Sequence, residues 1–119
     1  MAFRFESLKI WHSARSYAGT IYNVTARMPR SEDYGLRSQL NRAVNSVSLN
    51  IAEGSGRSTD KSFDAFLSIA VASSFEVVAA LFLALDRGYI TAAEHQAAYE
   101  EGEQLAKSIN AFRKSLVRQ

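Results

Sequence analysis

The sequence predicts an all-α protein, an antiparallel up-down-up-down four-helix bundle that forms a single domain over residues 1–119. Apolar residues recur at spacings of three and four along four separate segments, as they do in amphipathic helices. Pro29 is the only proline, and the few glycines cluster near expected turns. No stretch alternates apolar and polar residues for long enough to indicate a strand. Because the connections are short, successive helices should pack antiparallel.

The first two helices are expected at about residues 7–28 and 34–54. The first has an apolar stripe made of Ile10, Ala14, Tyr17, Ile21, Val24 and Met28. It should end before Pro29, because the residue that precedes a proline disfavours the helical conformation. The second helix begins either at the acidic residues near Ser31 or just after Gly35. Its apolar line consists of Leu36, Leu40, Ala43, Val47 and Ile51.

The last two helices are expected at about residues 59–87 and 91–117. The third begins at Ser58 or Thr59 and ends at Gly88, since glycine tolerates the positive φ of a helix C-terminal cap. The fourth begins with Thr91 and Glu94, which have the spacing of a capping box. Its apolar face includes Tyr99, Leu105, Ile109, Phe112 and Leu116.

The third helix is too apolar for a bundle that stays monomeric. Between Ala65 and Leu85 the only charged residue is Glu76, and the apolar side chains are not confined to one face. The length would suit a membrane span of roughly 20 residues. A membrane-spanning helix is disfavoured by Glu76 in the middle of the run, by the charged residues on both sides of it, and by the amphipathic pattern of the other three helices. We therefore expect one face to lie in the core and another to pack against a second copy of the chain.

Charge and composition narrow the possible functions. The net charge is only +2, but basic residues concentrate near both chain ends. Candidate contacts to a nucleic-acid backbone are Arg4, Lys9, Arg15, Lys107, Arg113, Lys114 and Arg118. The same residues could instead serve solubility alone. Absence of cysteine excludes disulfide and thiolate chemistry, and no secretory signal is visible, so a cytoplasmic location is expected.

A polar stripe follows one side of the second helix, made of Gln39, Arg42, Ser46, Asn50 and Glu53. One interpretation is a solvated surface. The other is a partly buried hydrogen-bonded network, in which Arg42 and Glu53 neutralise charge and Asn50 fixes the packing register.

At these residues the chain resembles the four-helix-bundle family first described as proteins encoded by intervening sequences inside bacterial 23S ribosomal RNA genes. It is also similar to the accessory variability proteins of diversity-generating retroelements. The motifs are Phe5-x-x-Leu8-x-x-Trp11, Gln39-x-x-Arg42-Ala43-x-x-Ser46, Asn50-Ile51-Ala52-Glu53-Gly54, Phe63-x-x-Phe66-Leu67 and Ser74-x-Glu76. Departures from the family pattern are Met28, Ser48 and Ser73, where an aromatic, a proline and a glycine are common.

The resemblance implies a homopentameric ring and, for the retroelement relatives, a basic surface that binds nucleic acid. The residues expected to have a structural or interface role are Trp11, Gln39, Arg42, Asn50, Glu53, Phe66, Ser73 and Glu76.

Motifs for catalysis are not found. His12 and His95 have no carboxylate or second histidine at i+3 or i+4, so both are expected to be surface or rim residues and no metal site is predicted. The segment 54–58 lacks the lysine of a phosphate-binding P-loop. We expect no cofactor and no enzyme activity. Two hypotheses stay open: an oligomeric nucleic-acid-binding accessory protein, or a structural scaffold that binds a protein partner.

Overall fold

The computed structural model describes residues 2–117 and confirms the predicted all-α class. The four helices are α1 (Lys9–Thr25), α2 (Leu36–Ser55), α3 (Asp60–Asp86) and α4 (Ala92–Val117). Short 3₁₀ segments at Arg4–Ser7 and Arg30–Glu32 precede α1 and α2. Residues 2–117 contain no strand.

The helices stand at the corners of a square. Each packs against its two neighbours in the order α1, α2, α3, α4 and back to α1, whereas the diagonal pairs do not pack. The bundle measures 46 Å along its axis and 22 Å in both transverse directions. Consequently α1 and α3 begin, and α2 and α4 end, at one end of the bundle.

The core follows the predicted stripes. Tyr17, Leu40, Ile51, Phe63 and Leu81 are among the largest side chains that are completely buried. The Tyr17 hydroxyl donates a hydrogen bond of 3.2 Å to the carbonyl oxygen of Ala98. Burial, and secondarily the Glu101 carboxylate, raise the pKa of Tyr17 above its usual range. This hydroxyl therefore stays protonated and available as a donor.

The first helix is shorter than predicted at both ends. Residues 4–7 form the 3₁₀ turn instead, where the Glu6 carboxylate accepts a bond of 3.0 Å from the Phe3 amide. At the other end, the Arg37 guanidinium donates to the carbonyl oxygens of Thr25 and Met28. Arg37 thus satisfies carbonyls that a longer helix would have bonded internally. The helix stops three residues before Met28, although Met28 is still buried.

The remaining helix ends agree closely with the sequence analysis. Of the two starts considered for α2, the later one is correct, since the helix begins at Leu36. Thr59 caps α3 by accepting a bond of 3.1 Å from the Ser62 amide. Gly88 follows α3 with φ of 75°, the left-handed conformation expected at this position. The capping box of α4 is confirmed, with Thr91 and Glu94 bonded reciprocally at 2.9 and 3.1 Å.

Candidate functional site

The third helix is apolar on surfaces that the bundle does not cover. Its core stripe includes Phe63, Leu67 and Leu81. Outside that stripe, 66% of Phe75, 50% of Ile69, 45% of Phe82 and 43% of Leu83 are exposed. By length and composition α3 could cross a membrane, but the core helix of a soluble protein passes the same test. The apolar surface lies on both flanks of α3, toward α2 and toward α4.

The flank toward α2 forms a polar groove of about 750 Å³. We call this surface the α2–α3 face. Its lining includes Glu32, Tyr34, Gln39, Arg42, Ser46, Ser73, Glu76, Leu83 and Arg87. Five of the eight residues that the sequence analysis assigned to structure or interface therefore belong to this face or its floor: Gln39, Arg42, Asn50, Ser73 and Glu76.

A small hydrogen-bonded network joins α2 to α3 at the bottom of this groove. The Ser46 and Ser73 hydroxyls lie 2.8 Å apart, and the Asn50 side-chain amide donates to the Ser46 hydroxyl at 2.9 Å. Asn50 also donates to the Ser46 carbonyl at 2.8 Å. Ser73 thus bonds directly across the helix pair.

Of the two interpretations of the polar stripe, neutralisation of charge between Arg42 and Glu53 is wrong for the single chain, and for these two residues the solvated surface is correct. These residues are separated by about three helical turns on α2, which is too far for an ion pair. Both side chains are exposed, and neither forms an ion pair with any residue in the part of the chain that the structure describes. The network is therefore neutral, and the Arg42 charge is free at the surface.

The flank toward α4 forms an apolar groove of about 580 Å³, which we call the α3–α4 face. Phe75, Val78 and Phe82 line it from α3. The α4 side contributes Tyr99, Gly102, Glu103, Ala106, Lys107 and Asn110. Glu103 and Lys107 at the rim are 51% and 69% exposed, and their charged groups lie 4.0 Å apart. This face offers aromatic surface with two charges beside it.

Basic residues gather at the end of the bundle where α1 and α3 begin. We call this the basic end, and its described cations are Arg4, Lys9, Arg57, Lys61, Arg113 and Lys114. They outnumber the acids at the same end, which are Glu6, Glu53, Asp60 and Asp64. The opposite end is balanced, because Arg27, Arg30, Arg37 and Arg87 face Glu32, Asp33, Asp86 and Glu94. The positive field is therefore concentrated at one end.

Described residues near both ends of the chain contribute to the basic end. The Arg4 guanidinium lies 4.9 Å from the centre of the Phe63 ring on α3. Arg113 of α4 pairs with Asp64 of α3 at 2.8 Å and is only partly exposed. Arg57, which is not among the seven candidate contacts predicted from the sequence, stacks 5.2 Å from the Phe66 ring and bonds the Ser62 hydroxyl. The distribution of charge along the sequence does not show that the α2–α3 connection places Arg57 and Lys61 beside basic residues from the two ends of the chain.

Two other predicted nucleic-acid contacts, Arg15 and Lys107, lie apart from this group. Arg15 stacks on Trp11 at 4.8 Å, farther along α1, and Trp11 in turn meets Phe5 at 4.6 Å between ring centres. Lys107 lies at the rim of the α3–α4 face. Arg118 falls outside the described residues. The structure thus places Arg4, Lys9, Arg113 and Lys114 together and separates Arg15 and Lys107 from them.

Two carboxylates, Glu32 and Glu94, connect chain segments at the opposite end of the bundle through hydrogen bonds and ion pairs. Glu32 accepts hydrogen bonds from the Leu36 amide at 2.9 Å and the Tyr89 hydroxyl at 2.7 Å, and it pairs with Arg87 at 3.0 Å. The Leu36 amide first, then Tyr89 and Arg87, lower the pKa of Glu32, while the bond to Glu32 raises the pKa of Tyr89. The Arg27 side chain and the Thr91 amide likewise lower the pKa of Glu94.

One of the two histidines does not lie where the sequence predicts. His12 is exposed, and its Nε2 lies 2.6 Å from the Glu6 carbonyl oxygen. The prediction that His95 lies at the surface or rim is wrong, because this side chain is buried against Phe82 and Tyr99. Its Nε2 has no hydrogen-bond partner within residues 2–116. Within the same residues, no group of three histidine, aspartate or glutamate side chains could hold a metal ion.

Comparisons with known proteins relate the chain to a sequence family and to solved structures. The sequence model described as 23S rRNA-intervening sequence protein matches residues 6–111. A crystal structure of a protein of unknown function from the S23 ribosomal protein family of Bacteroides thetaiotaomicron superposes with a TM-score of 0.82. That match covers 88% of this chain and 98% of the other, at 20% identity, so it establishes the fold alone. No curated protein matches the sequence.

Proposed function

The chain belongs to the 23S rRNA-intervening sequence protein family, and from this premise we propose that it is a non-enzymatic, cytoplasmic homo-oligomer whose basic ends bind the phosphate backbone of nucleic acid. The family resemblance favours five copies. The observation that supports binding is the gathering of cations at one end of the bundle, from the 3₁₀ segment before α1, from α1, α3 and α4, and from the α2–α3 connection. A ring of parallel bundles would repeat this surface on one side, which multiplies a weak charge per chain.

Self-association is supported by the two uncovered flanks of α3. Phe75 and Phe82 on one flank and Ile69 and Leu83 on the other are each at least 43% exposed in the single chain. Contiguous apolar patches of this kind mark association surfaces. Assembly would cover them and would leave the basic ends free, since the cations lie at the end of the bundle and not along α3.

Not every cation at the basic end is equally suited to bind phosphate. Arg113 is engaged with Asp64, and Arg4 and Arg57 stack on Phe63 and Phe66. Lys9, Lys61 and Lys114 are exposed and form no ion pair within the described residues. These three lysines are therefore the side chains to change, because their loss should leave the fold intact.

Fluorescence anisotropy with labelled RNA and DNA duplexes and single strands, measured across a salt series, tests the proposal. The wild type should bind at low salt and lose affinity steeply as salt rises, with a slope set by the number of phosphates neutralised. The triple variant K9Q/K61Q/K114Q should bind weakly and with a shallower slope. Arg30→Gln at the balanced end is the control and should bind as the wild type does.

The alternative is a scaffold that presents the assembled surface to a protein partner. It is favoured if the wild type binds neither RNA nor DNA at low salt, or if R30Q and the triple lysine variant weaken binding equally. Either result would contradict the proposed use of the basic end. A normal oligomer in the same samples would show that assembly is independent of nucleic-acid binding.

A further inference from the structure

We propose that copies of this chain join through two different surfaces, with the α2–α3 face of one copy packed on the α3–α4 face of the next and α3 innermost. This inference rests on the proposed self-association and adds the interface to it. It assigns Glu103 of the neighbouring copy as the partner of Arg42, which forms no ion pair within the described residues of a single chain.

The two faces are unlike each other, so packing one on the other is a heterologous contact in which every copy uses both faces. The α2–α3 face is polar at its centre, where Gln39, Arg42 and Glu76 line the groove. The α3–α4 face is apolar and is lined by the Phe75 and Phe82 side chains. Two different complementary surfaces generate a head-to-tail assembly, which closes into a ring when the rotation allows.

The shape of the bundle favours closure. Its two transverse extents are equal at 22 Å, and α2 and α4 are both neighbours of α3, so the two faces meet at α3 at about a right angle. Wedges of about this angle close after roughly four copies, which is near the five that the family resemblance favours. The edge of α3 between the faces has small exposed residues, Ser68, Ala72 and Ala79, which would let the inner helices approach closely.

If the copies are related by rotation about an axis parallel to the bundle, each residue keeps its height along that axis. Residues of neighbouring copies that meet across such an interface must therefore lie at the same height. Ser46 of α2 lies opposite Ser73 of α3. Arg42, one turn earlier on the antiparallel α2, is therefore level with Val77. On the other side, a Cβ added at Gly102 would lie 2.9 Å from the Val78 side chain. Glu103, the next residue on α4, is therefore also level with Val77.

Arg42 and Glu103 thus match in height to about one residue, or roughly 1.5 Å along the axis. A second pair of opposite charges follows the same rule. Glu76 on the α2–α3 face and Lys107 on the α3–α4 face differ in height by about three residues, or roughly 4.5 Å, which long side chains can span. The charges on the two faces are therefore complementary for copies related by pure rotation.

Within one chain Arg42 and Glu103 cannot meet, because α2 and α4 stand at diagonal corners and do not pack. Any coupling between them must therefore arise between copies. This makes charge exchange a direct test. The variants are R42E, E103R and the double variant R42E/E103R, with oligomer mass measured by light scattering on gel filtration. The control is R42E combined with Glu100→Arg, which reverses a nearby exposed acid one turn earlier on α4.

Each single reversal should shift the wild-type oligomer to smaller species, and R42E/E103R should restore the wild-type mass while R42E/E100R should not. Single variants that keep the wild-type mass, or a double variant that is not restored, would overturn the proposed interface while leaving self-association in place. A wild type that is already monomeric would instead refute the proposed self-association. Circular dichroism on every variant shows whether the helical fold is retained.

Cross-linking gives an independent readout, because the native chain contains no cysteine. In the variant R42C/E103C, a bis-maleimide reagent should join copies into a ladder on a denaturing gel that ends at the ring size. The variant R42C/E100C should cross-link less. Equal ladders for the two variants, or only monomer for the first when the protein is oligomeric in solution, would contradict the pairing of these faces.

Discussion

Replacing Phe75 by alanine should weaken assembly and leave the fold of each chain intact. A phenylalanine side chain buries about 150–250 Å² when fully covered, and 66% of Phe75 is still exposed in the single chain. The part that assembly can cover is thus about 100–165 Å². At about 25 cal/mol per Å² this area corresponds to roughly 2.5–4 kcal/mol, and about 2–3 kcal/mol is expected to be lost after allowance for the alanine that remains.

Such a loss raises the dissociation constant of each interface about 30- to 150-fold, since 1.4 kcal/mol is a factor of ten. Light scattering over a dilution series measures this change, and circular dichroism checks that helix content is unchanged. Phe3→Ala is the matched control, because Phe3 is 64% exposed but lies at the basic end and not on α3. If F75A assembles as tightly as the wild type, or F3A weakens assembly as much, the assignment of α3 as the interface helix is refuted.

Further predictions concern single residues whose contacts are defined. Glu32 and Glu94 have pKa values below the ordinary 4.5, so the stability that they contribute is present above that pH and is lost as the pH falls through their folded pKa. In thermal melts, Glu32→Gln should therefore reduce the decrease of Tm at acid pH. An unchanged decrease would show that Glu32 is not a source of the acid dependence. Tyr17→Phe should cost about 1 kcal/mol in urea unfolding, because it deletes a buried hydrogen bond to Ala98; no loss would mean that the hydroxyl is replaceable. Ile51→Ala, at a completely buried position, should cost about 2–5 kcal/mol, whereas Lys114→Ala at an exposed position should change the free energy of unfolding by less than about 0.5 kcal/mol.

The helices were predictable because their signals are local. The three-and-four spacing of Ile10, Ala14 and Tyr17 reappears as a buried stripe on α1. The caps at Thr59, Gly88 and Thr91 also depend only on neighbouring residues. The early end of α1 was not predictable in this way, because it depends on Arg37, a residue from the next helix that bonds the Thr25 and Met28 carbonyls.

Long-range contacts explain the remaining differences. His95 resembles a surface residue in the sequence, yet packing of α4 on α3 buries it against Phe82. Arg42 and Glu53 share a helix side, but their separation prevents the pairing that the stripe suggested. The basic end likewise combines residues far apart in the chain, such as Arg4 and Arg113. The excess apolar surface of α3 could be inferred from sequence alone, because no single core could cover it.

Family membership and fold are established, while the number of copies, the nucleic-acid contacts and the likeness to retroelement accessory proteins stay predictions. The number of copies and the nucleic-acid binding have one physical premise in common, namely our proposal that a second copy of the chain covers the flanks of α3. Without assembly, the small excess charge of one bundle would give only weak binding to nucleic acid.

Light scattering of the wild-type protein on gel filtration tests this premise most directly. We predict a mass that is a multiple of the 13.2 kDa chain and that persists on dilution into the low micromolar range; five copies are expected by resemblance. A mass of 13.2 kDa at every concentration would contradict the premise, and with it both the ring and the multiplied basic surface.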